Sequence, residues 1–270
     1  MMKNAESFGL PQVGVPPVDF RQVAARIRSV ISVIQKHDSE ERFCKLGAKV
    51  EFGNPAFTDE HSIRLNGRTY TAKNWVIATG SAAMAPPIPG LDKTPYITNR
   101  EIFSLERLPD SMIVLGGGPI GSEMGQAFNR LGTRVTIVDM ADQILGKEDR
   151  DMADIVKARM ASEGVVFHLQ SAIEAVNDLG SEKEVIIKKA DGNSVSLKSE
   201  VILVAIGRSA NVGGLELENC GVVYDPRGIK VDRRMRTNQK HIYAAGDVAG
   251  GYQFTHAAGY EGGIVISNAI

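Results

Sequence analysis

A glycine-rich loop at residues 116–121 is the clearest place in this sequence where chemistry could occur. The residues Gly116-Gly117-Gly118-Pro119-Ile120-Gly121 follow an apolar run and fit G-x-G-x-x-G, a pattern typical of loops that bind the pyrophosphate of a dinucleotide. In such a loop the first glycine permits a tight turn, the second lets the backbone approach the phosphates, and the third lets the helix pack against the strand. Alone the pattern is weak evidence for a dinucleotide-binding loop, because glycine-rich turns are common.

The residues that follow the loop complete the arrangement. A helix that begins at Pro119 would present free N–H groups and a partial positive charge to an anion, and a proline in the first turn loses no needed hydrogen bond. A second apolar strand, "RVTIVD", ends at Asp139, 18 residues after Gly121. Strand, loop, helix, strand and acid stand in the order that a dinucleotide-binding unit requires.

The carboxylate of Asp139 is predicted to accept hydrogen bonds from the adenosine ribose of a nicotinamide coenzyme. A charge-assisted hydrogen bond of this kind contributes roughly 1.5–3 kcal/mol. The same charge would repel a 2′-phosphate, and the ten residues after Asp139 contain no arginine that could neutralise one. The sequence therefore favours NADH over NADPH. The alternative is that Asp139 caps the end of a strand at the surface.

The elements around this loop alternate between helix and strand. After a loop over residues 1–18, a helix is predicted from about Asp19, a short strand at 49–52, a hairpin at 62–71 around Asn66-Gly67, and a strand at 75–81 that ends in a glycine turn. From Pro109 onward the pattern predicts strand, helix, strand and helix, followed by short strands with a hairpin at Asp191-Gly192. A last buried strand, at 241–248, runs into another glycine turn. This alternation predicts an α/β architecture.

Composition excludes several classes of protein. The 270 residues are 43% hydrophobic with a formal net charge of −1, so there is no electrostatic reason to expect nucleic acid or an anionic membrane as a partner. No apolar run approaches the roughly 18 residues that a spanning helix needs. Two cysteines, Cys44 and Cys220, are far apart and form neither a disulfide framework nor a CxxC motif, which favours a reducing cytoplasm. The basic residues at 233–236 read most simply as a solvated loop.

Four motifs together resemble one known family. "VLGGGPIGSE", "VTIVD", "VAIGR" and "YAAGDV", in this order and spacing, resemble the pyridine nucleotide–disulfide oxidoreductases. "QFTHAAGYEG" is most similar to the dihydrolipoamide dehydrogenase and mercuric reductase branch. The resemblance implies a Rossmann-like FAD/NAD(P)-binding fold, with an NAD-binding domain (βαβ plus a β-meander) at 109–235. This domain would be inserted in a partial FAD-binding domain at 1–108 and 236–270.

The resemblance also assigns residues to each cofactor. On the flavin side it implies Thr79, Gly80 and Ser81, Gly246 and Asp247 with the aspartate on the ribityl chain, and the backbone around Thr255 and His256 near the isoalloxazine. On the nicotinamide side it implies the loop, Glu123, Asp139, Val176 beside the adenine, and Gly207. Two of these acids have ordinary structural alternatives: Asp247 as a helix N-cap, and Glu123 as compensation of a helix dipole.

The sequence also departs from the family pattern. It has no first G-x-G-x-x-G for the FAD pyrophosphate and no C-x4-C pair of redox cysteines, and it does not show the C-terminal domain through which the family dimerises. We therefore expect the central portion of a homodimeric oxidoreductase that passes hydride from NAD(P)H to FAD, with weak or no flavin bound by this chain, no competence for disulfide reduction, and no metal. The alternative function is an NADH-binding module without flavin or turnover. A purely structural scaffold would explain neither the glycines nor Asp139.

Overall fold

The structure is a computed structural model that describes residues 5, 6, 8–11, 14 and 16–269. The helices are α1 (Phe20–Gln35), α2 (Glu40–Lys45), α3 (Pro119–Leu131), α4 (Arg150–Ser162) and α5 (Thr255–Ala269). The strands are β1 (Ala56–Asp59), β2 (Ser62–Leu65), β3 (Arg68–Thr71), β4 (Trp75–Ile77), β5 (Ser81–Ala83), β6 (Ser111–Leu115), β7 (Arg134–Val138), β8 (Val166–His168), β9 (Ala172–Asp178), β10 (Lys183–Lys188), β11 (Ser194–Ser199), β12 (Val201–Val204), β13 (Arg208–Ala210), β14 (Tyr224–Asp225), β15 (Gly228–Ile229) and β16 (Ile242–Ala244). The α/β class predicted from the sequence is confirmed. The loop expected over residues 1–18 falls partly outside the described residues.

The chain divides into two compact units. Unit 1 comprises Met1–His37 and Ala85–Ile206, as far as they are described, and unit 2 comprises Asp38–Met84 and Gly207–Ile270. These limits differ from the cofactor domains expected at 1–108, 109–235 and 236–270. One reason is that α1 packs in unit 1, and the other is that β13, at 208–210, pairs with β5. The assignment of a cofactor to each segment stays a proposal.

Unit 1 is built on a four-stranded parallel sheet in the order β12-β6-β7-β8. Helix α3 connects β6 to β7, and the antiparallel strands β9, β10 and β11 form the predicted meander. Alternate residues of β6 enter two different cores, Met112 and Val114 with Phe128 of α3, and Ile113 and Leu115 with the meander. Because both faces of β6 are covered, its sequence is a continuous apolar run. Packing on both faces of β6 therefore fixes the position of the glycine-rich loop that follows it.

Helix α1 begins where the sequence predicted, with the Asp19 carboxylate accepting the Arg21 N–H at 3.1 Å as an N-cap. Its first turn is anchored by Phe20, whose ring centroid lies 6.1 Å from that of Phe128. Apolar residues recur along α1 at three- and four-residue steps, but they are buried only at this end. Farther along, Ile31 and Ile34 are 47% and 55% exposed.

Unit 2 contains small sheets around a separate core. β1, β2 and β3 form an antiparallel sheet, β4 pairs with β16 in parallel, and β5 pairs with β13. The hairpin predicted at Asn66-Gly67 is confirmed, since both residues have positive φ (51° and 78°) between β2 and β3. The buried core comprises Phe57, Ile77, Leu217, Cys220, Ile229, Ile242, Ala244 and Val248, with others at its margin.

The strand predicted at residues 49–52 is wrong. This segment is irregular, and side chains rather than a neighbouring strand hold it: Asn66 Nδ2 donates to the Phe52 carbonyl at 2.8 Å, and the Tyr70 hydroxyl bonds to Glu51. The prediction at 75–81 was also too long, because β4 ends at Ile77 and Ser81 already belongs to β5. Short apolar runs do not show whether a strand partner exists.

Candidate functional site

The loop between β6 and α3 needs two of its glycines for its own packing. Gly116 has φ 103°, and a Cβ there would lie 2.5 Å from the Ala205 carbonyl oxygen. Gly121, in the first turn of α3, faces the Gly116 carbonyl so closely that a Cβ would overlap its oxygen. These contacts are the tight turn and the close helix–strand approach that the sequence pattern predicts. They would be required with or without a ligand.

Gly118 differs from these two glycines. It precedes α3 at φ −67° and ψ −173°, a conformation open to any residue. A Cβ on Gly118 would meet no described atom within 4 Å. The space in front of the loop is therefore open at this point. The next two residues are Pro119, exposed and without an N–H, and Ile120, half-buried, whose amide lies in the first turn where a helix offers no carbonyl partner.

Gly117 is held by the surrounding protein. Its N–H donates to Oδ2 of Asp139 at 2.5 Å, and its carbonyl accepts from the Leu145 N–H at 2.8 Å and the Ser122 hydroxyl at 2.9 Å. The structure thus brings the predicted acid and the predicted loop into direct contact. The contribution of Ser122 was missed in the sequence, where a serine inside a helix carries no signal.

Asp139 follows β7 at the carboxyl edge of the parallel sheet and is half-buried. Its Oδ1 accepts the Ala141 N–H at 2.8 Å, so each carboxylate oxygen receives one backbone donor. An ionised carboxylate has about four acceptor positions, which leaves capacity for further donors. The residue is more than the strand cap considered above, because it bonds to the glycine loop itself.

Two other residues assigned to the nicotinamide side occupy different surroundings. Glu123 is exposed on α3 and has no hydrogen bond or ion pair within the described part of the chain. Val176 is fully buried in the core beneath the sheet, and its N–H donates to the Pro89 carbonyl at 2.9 Å. In this position the whole residue, backbone included, has no exposed surface to offer to a ligand. Gly207 lies in unit 2, where its carbonyl accepts the Met84 N–H at 3.0 Å.

Unit 2 brings together Ser81 and Asp247, two of the residues that the resemblance assigns to a flavin. The Ser81 hydroxyl donates to Asp247 Oδ2 at 2.5 Å, which joins the segment after β4 to the turn after β16. Arg208 Nε donates to the same hydroxyl at 2.6 Å, and its Nη2 donates to the Ser81 carbonyl at 2.7 Å. The guanidinium lies 3.6 Å from the carboxylate. Asp247 therefore bonds to a side chain and does not act as the helix N-cap considered above.

Two further contacts fix the ends of this group. Thr79 and Asn211 bond reciprocally, hydroxyl to carbonyl and amide to carbonyl, both at 2.8 Å, and the Gly80 carbonyl accepts the Asn211 N–H at 2.9 Å. Gly246, at φ 76°, donates its N–H to Glu261 Oε2 at 2.7 Å. These contacts hold the turn that carries Asp247 and so orient its carboxylate. The Asp247 side chain is 21% exposed.

Thr255 and His256 begin α5 and are exposed. The His256 ring stacks on Phe254, with centroids 5.4 Å apart and planes at 8°.

Sequence reasoning missed three members of this group: Arg208, Asn211 and Glu261. Arg208 directly follows Gly207 in the motif "VAIGR". An arginine beside a glycine turn was the signal that could have indicated its role. Asn211 and Glu261 act on partners 132 and 15 residues away, so spacing alone did not reveal them.

The described residues contain no group of three or more His, Cys, Asp or Glu side chains placed to hold a metal ion. None of the helices in the described part of the chain is both long enough and apolar enough to cross a membrane. The described thiols are unpaired, with Cys44 exposed and Cys220 buried.

Comparison with known proteins gives the same family that the motifs resemble. The family model described as pyridine nucleotide-disulphide oxidoreductase matches residues 10–262. A dihydrolipoyl dehydrogenase of Bacillus subtilis is 33% identical over 273 residues, covering 99% of this chain and 59% of the relative. A mercuric reductase of Bacillus cereus is 32% identical over 271 residues, covering all of this chain and 43% of the relative.

A solved structure agrees with these sequences. The Cu(II) complex of the HOCl-induced flavoprotein disulfide reductase RclA from Escherichia coli superposes with a TM-score of 0.84 at 30% identity, over 92% of this chain and 56% of that one. The chain thus spans between 43% and 59% of the length of these relatives. Proteins of this family depend on FAD and NAD(P) and are typically homodimers. With a family match over residues 10–262 and a shared FAD/NAD(P)-binding Rossmann-like fold, this chain belongs to the pyridine nucleotide–disulfide oxidoreductases.

Proposed function

We propose that this chain binds NADH on the loop at residues 116–121 and contributes to an FAD site around Ser81 and Asp247. It would be the part of a flavin-dependent oxidoreductase in which hydride passes from the nicotinamide to the flavin. The cofactors supply the redox chemistry, and the residues of the chain supply position and electrostatics.

The observation that carries the NADH proposal is the open space at Gly118. The packing of the protein accounts for glycine at positions 116 and 121, but it does not account for glycine at 118. A backbone without a side chain is useful there if a diphosphate lies against it, at the start of α3 where amides and the helix dipole favour an anion. The exposed carboxylate of Glu123, one turn farther along, would lie on the nicotinamide side.

The preference for NADH rests on the charge of Asp139. Its remaining acceptor positions suit the two hydroxyls of an adenosine ribose, and its charge disfavours a 2′-phosphate. The next ten residues contain no arginine to offset that charge.

The FAD proposal rests on the residues around Asp247. A partly exposed carboxylate, oriented by Ser81 and Arg208, fits a polyol that donates hydrogen bonds. The sequence holds no second G-x-G-x-x-G for the flavin pyrophosphate. We therefore expect this chain by itself to bind FAD weakly.

The second candidate function is an NADH-binding module without flavin or turnover. In its favour, the glycine loop, Ser122, Glu123 and Asp139 all lie in unit 1. The two candidates differ in whether flavin is bound and reduced. In either case the two unpaired thiols suit a reducing cytoplasm.

One titration separates these functions. NADH is added to the purified protein with FAD present, and the fluorescence of NADH and the visible absorbance of the flavin are followed together. A bleached flavin band with saturable NADH binding supports the oxidoreductase, whereas NADH binding without a protein-bound flavin band supports the module. If NADH does not bind at all, both proposals are wrong.

A further inference from the structure

Both backbone polar groups of Gly117 are bonded to the protein, although this residue is the centre of the loop. The N–H donates to Asp139 Oδ2, and the carbonyl accepts from Ser122 Oγ and from the Leu145 N–H. Gly117 is buried, and Ser122 is 5% exposed. The Gly117 amide is therefore not available to a phosphate, since it points toward the carboxylate.

Leu145 contributes to the same arrangement in an unusual conformation. Its φ is 51°, in the left-handed region that a branched side chain rarely adopts. The residue packs against the core that holds α3 and Ile144, and its N–H bonds to Gly117 at 2.8 Å. Surrounding structure must hold such a conformation in place, because the residue gains nothing from it locally. The segment after β7 is thus fixed against the loop.

We propose that Asp139 and Ser122 are positioning residues for the diphosphate of the coenzyme. By holding Gly117 from both sides, they orient the amides that follow it, at Gly118, Ile120 and Gly121, before any ligand arrives. The inference rests on the proposed NADH binding. It adds that one oxygen of the Asp139 carboxylate serves the loop while the remaining acceptor positions serve the ribose.

This double role predicts how substitutions change the affinities for NADH and for NADPH. Removing a carboxylate that acts on the ribose alone would weaken NADH binding and would not weaken NADPH binding, because its repulsion of the 2′-phosphate would be lost as well. Loss of Ser122 Oγ, which does not belong to the ribose position, should weaken NADH and NADPH by the same factor. Loss of the Asp139 carboxylate should weaken both and NADH more strongly. Coenzyme preference could then not be reversed at position 139 alone without loosening the loop.

The test compares Ser122→Ala and Asp139→Ala with Asp142→Ala, a matched control in which an exposed aspartate paired with Arg150 is removed from the same segment. Fluorescence titration gives the Kd for NADH and for NADPH, and NMR gives the exchange rate of the Gly117 amide in ligand-free protein. For Ser122→Ala we expect equal losses of about 3–10-fold for both coenzymes, the value of one neutral hydrogen bond. For Asp139→Ala we expect the Gly117 amide to exchange about tenfold faster or more. The control should change neither quantity.

Unchanged affinities in Ser122→Ala, or unchanged exchange in Asp139→Ala, would overturn the positioning role while leaving the NADH proposal intact. If the unmodified chain binds neither coenzyme, the proposed function fails and the ligand role of both residues fails with it. Because Ser122→Ala removes one oxygen, it keeps the inference testable if Asp139→Ala does not fold.

Discussion

The Ser81 hydroxyl donates to Asp247 Oδ2 at 2.5 Å, although the two residues are 166 positions apart in the chain. The same hydroxyl accepts from Arg208 Nε at 2.6 Å, so one serine lies between a guanidinium and a carboxylate. A hydroxyl that both accepts from a cation and donates to an anion makes two charge-assisted bonds. Removing the Ser81 hydroxyl should therefore leave the Asp247 carboxylate without the contact that orients it.

We predict that Ser81→Ala weakens FAD binding by about tenfold, the value of one charge-assisted hydrogen bond. FAD is added to the protein, and the visible absorbance band of bound flavin is followed. Ser267→Ala is the control, because this exposed serine donates its hydroxyl to the Gly263 carbonyl within α5 of the same unit. Equal FAD affinity in the two variants would show that Ser81 does not position Asp247 for the flavin.

The loop glycines should respond in opposite ways to alanine. Gly118→Ala should lower NADH affinity at least tenfold while changing the free energy of unfolding by less than about 1 kcal/mol, because the conformation suits alanine and the unfolded chain loses freedom, whereas glycine is the better N-cap for α3. Gly121→Ala should destabilise the fold by about 1–3 kcal/mol or more, since its Cβ would overlap the Gly116 carbonyl. Urea unfolding and NADH titration measure the two effects. A Gly118→Ala variant with unchanged NADH affinity would remove the main support for the coenzyme site.

Asp139→Ala should weaken NADH more than NADPH. For NADH, the ribose hydroxyls lose a hydrogen-bond acceptor. For NADPH, removing the carboxylate also removes its repulsion of the 2′-phosphate, which offsets part of the loss. The ratio of the two Kd values, measured at one salt concentration, should move toward NADPH by about tenfold. A ratio that does not move would mean that Asp139 does not face the ribose.

Stability should fall as the pH drops below neutrality because of His168. Burial, and secondarily the charge of Lys189, lowers the pKa of His168 from its ordinary value of 6.5. Between the lowered pKa and 6.5 the unfolded chain binds more protons than the folded one, so the free energy of unfolding rises with pH in that window. Replacing His168 with Gln should reduce the loss of stability between pH 7.5 and pH 5, as measured by urea unfolding. His37→Gln, at an exposed histidine, should keep the loss seen in the unmodified chain.

The sequence predicted unit 1 well because its signals are local. The run at β6, the glycines, Pro119 at the start of α3 and the acid after β7 are spaced within 30 residues, and each follows from the geometry of its own segment. The strand expected at 49–52 failed because an apolar run cannot show that no partner strand lies beside it. The helix α1 forms where it was predicted, but periodicity indicates only an apolar face and not what covers it, and half of that face is exposed.

The group around Asp247 was harder to predict. The motifs located Ser81 and Asp247, but the contacts through Arg208 and Asn211 depend on β13 pairing with β5, across more than a hundred residues. Pairing over such a distance leaves no periodic trace in either segment. In unit 1 the hydrogen bond from Gly117 to Asp139 could not be predicted from the sequence either. The sequence pattern assigns these two residues to different parts of a ligand and gives no indication that they contact each other.

The strand order of the parallel sheet has a consequence for how the protein is made. β6 lies between β7, which follows within 20 residues, and β12, which is synthesised about 90 residues later. One edge of β6 therefore stays without its neighbour until the meander has left the ribosome, and contacts of such long sequence separation form slowly. A nascent chain stalled before residue 201 would leave the N–H and C=O groups along one edge of β6 unpaired, at the very strand that carries the glycine loop, and would be a natural substrate for chaperones.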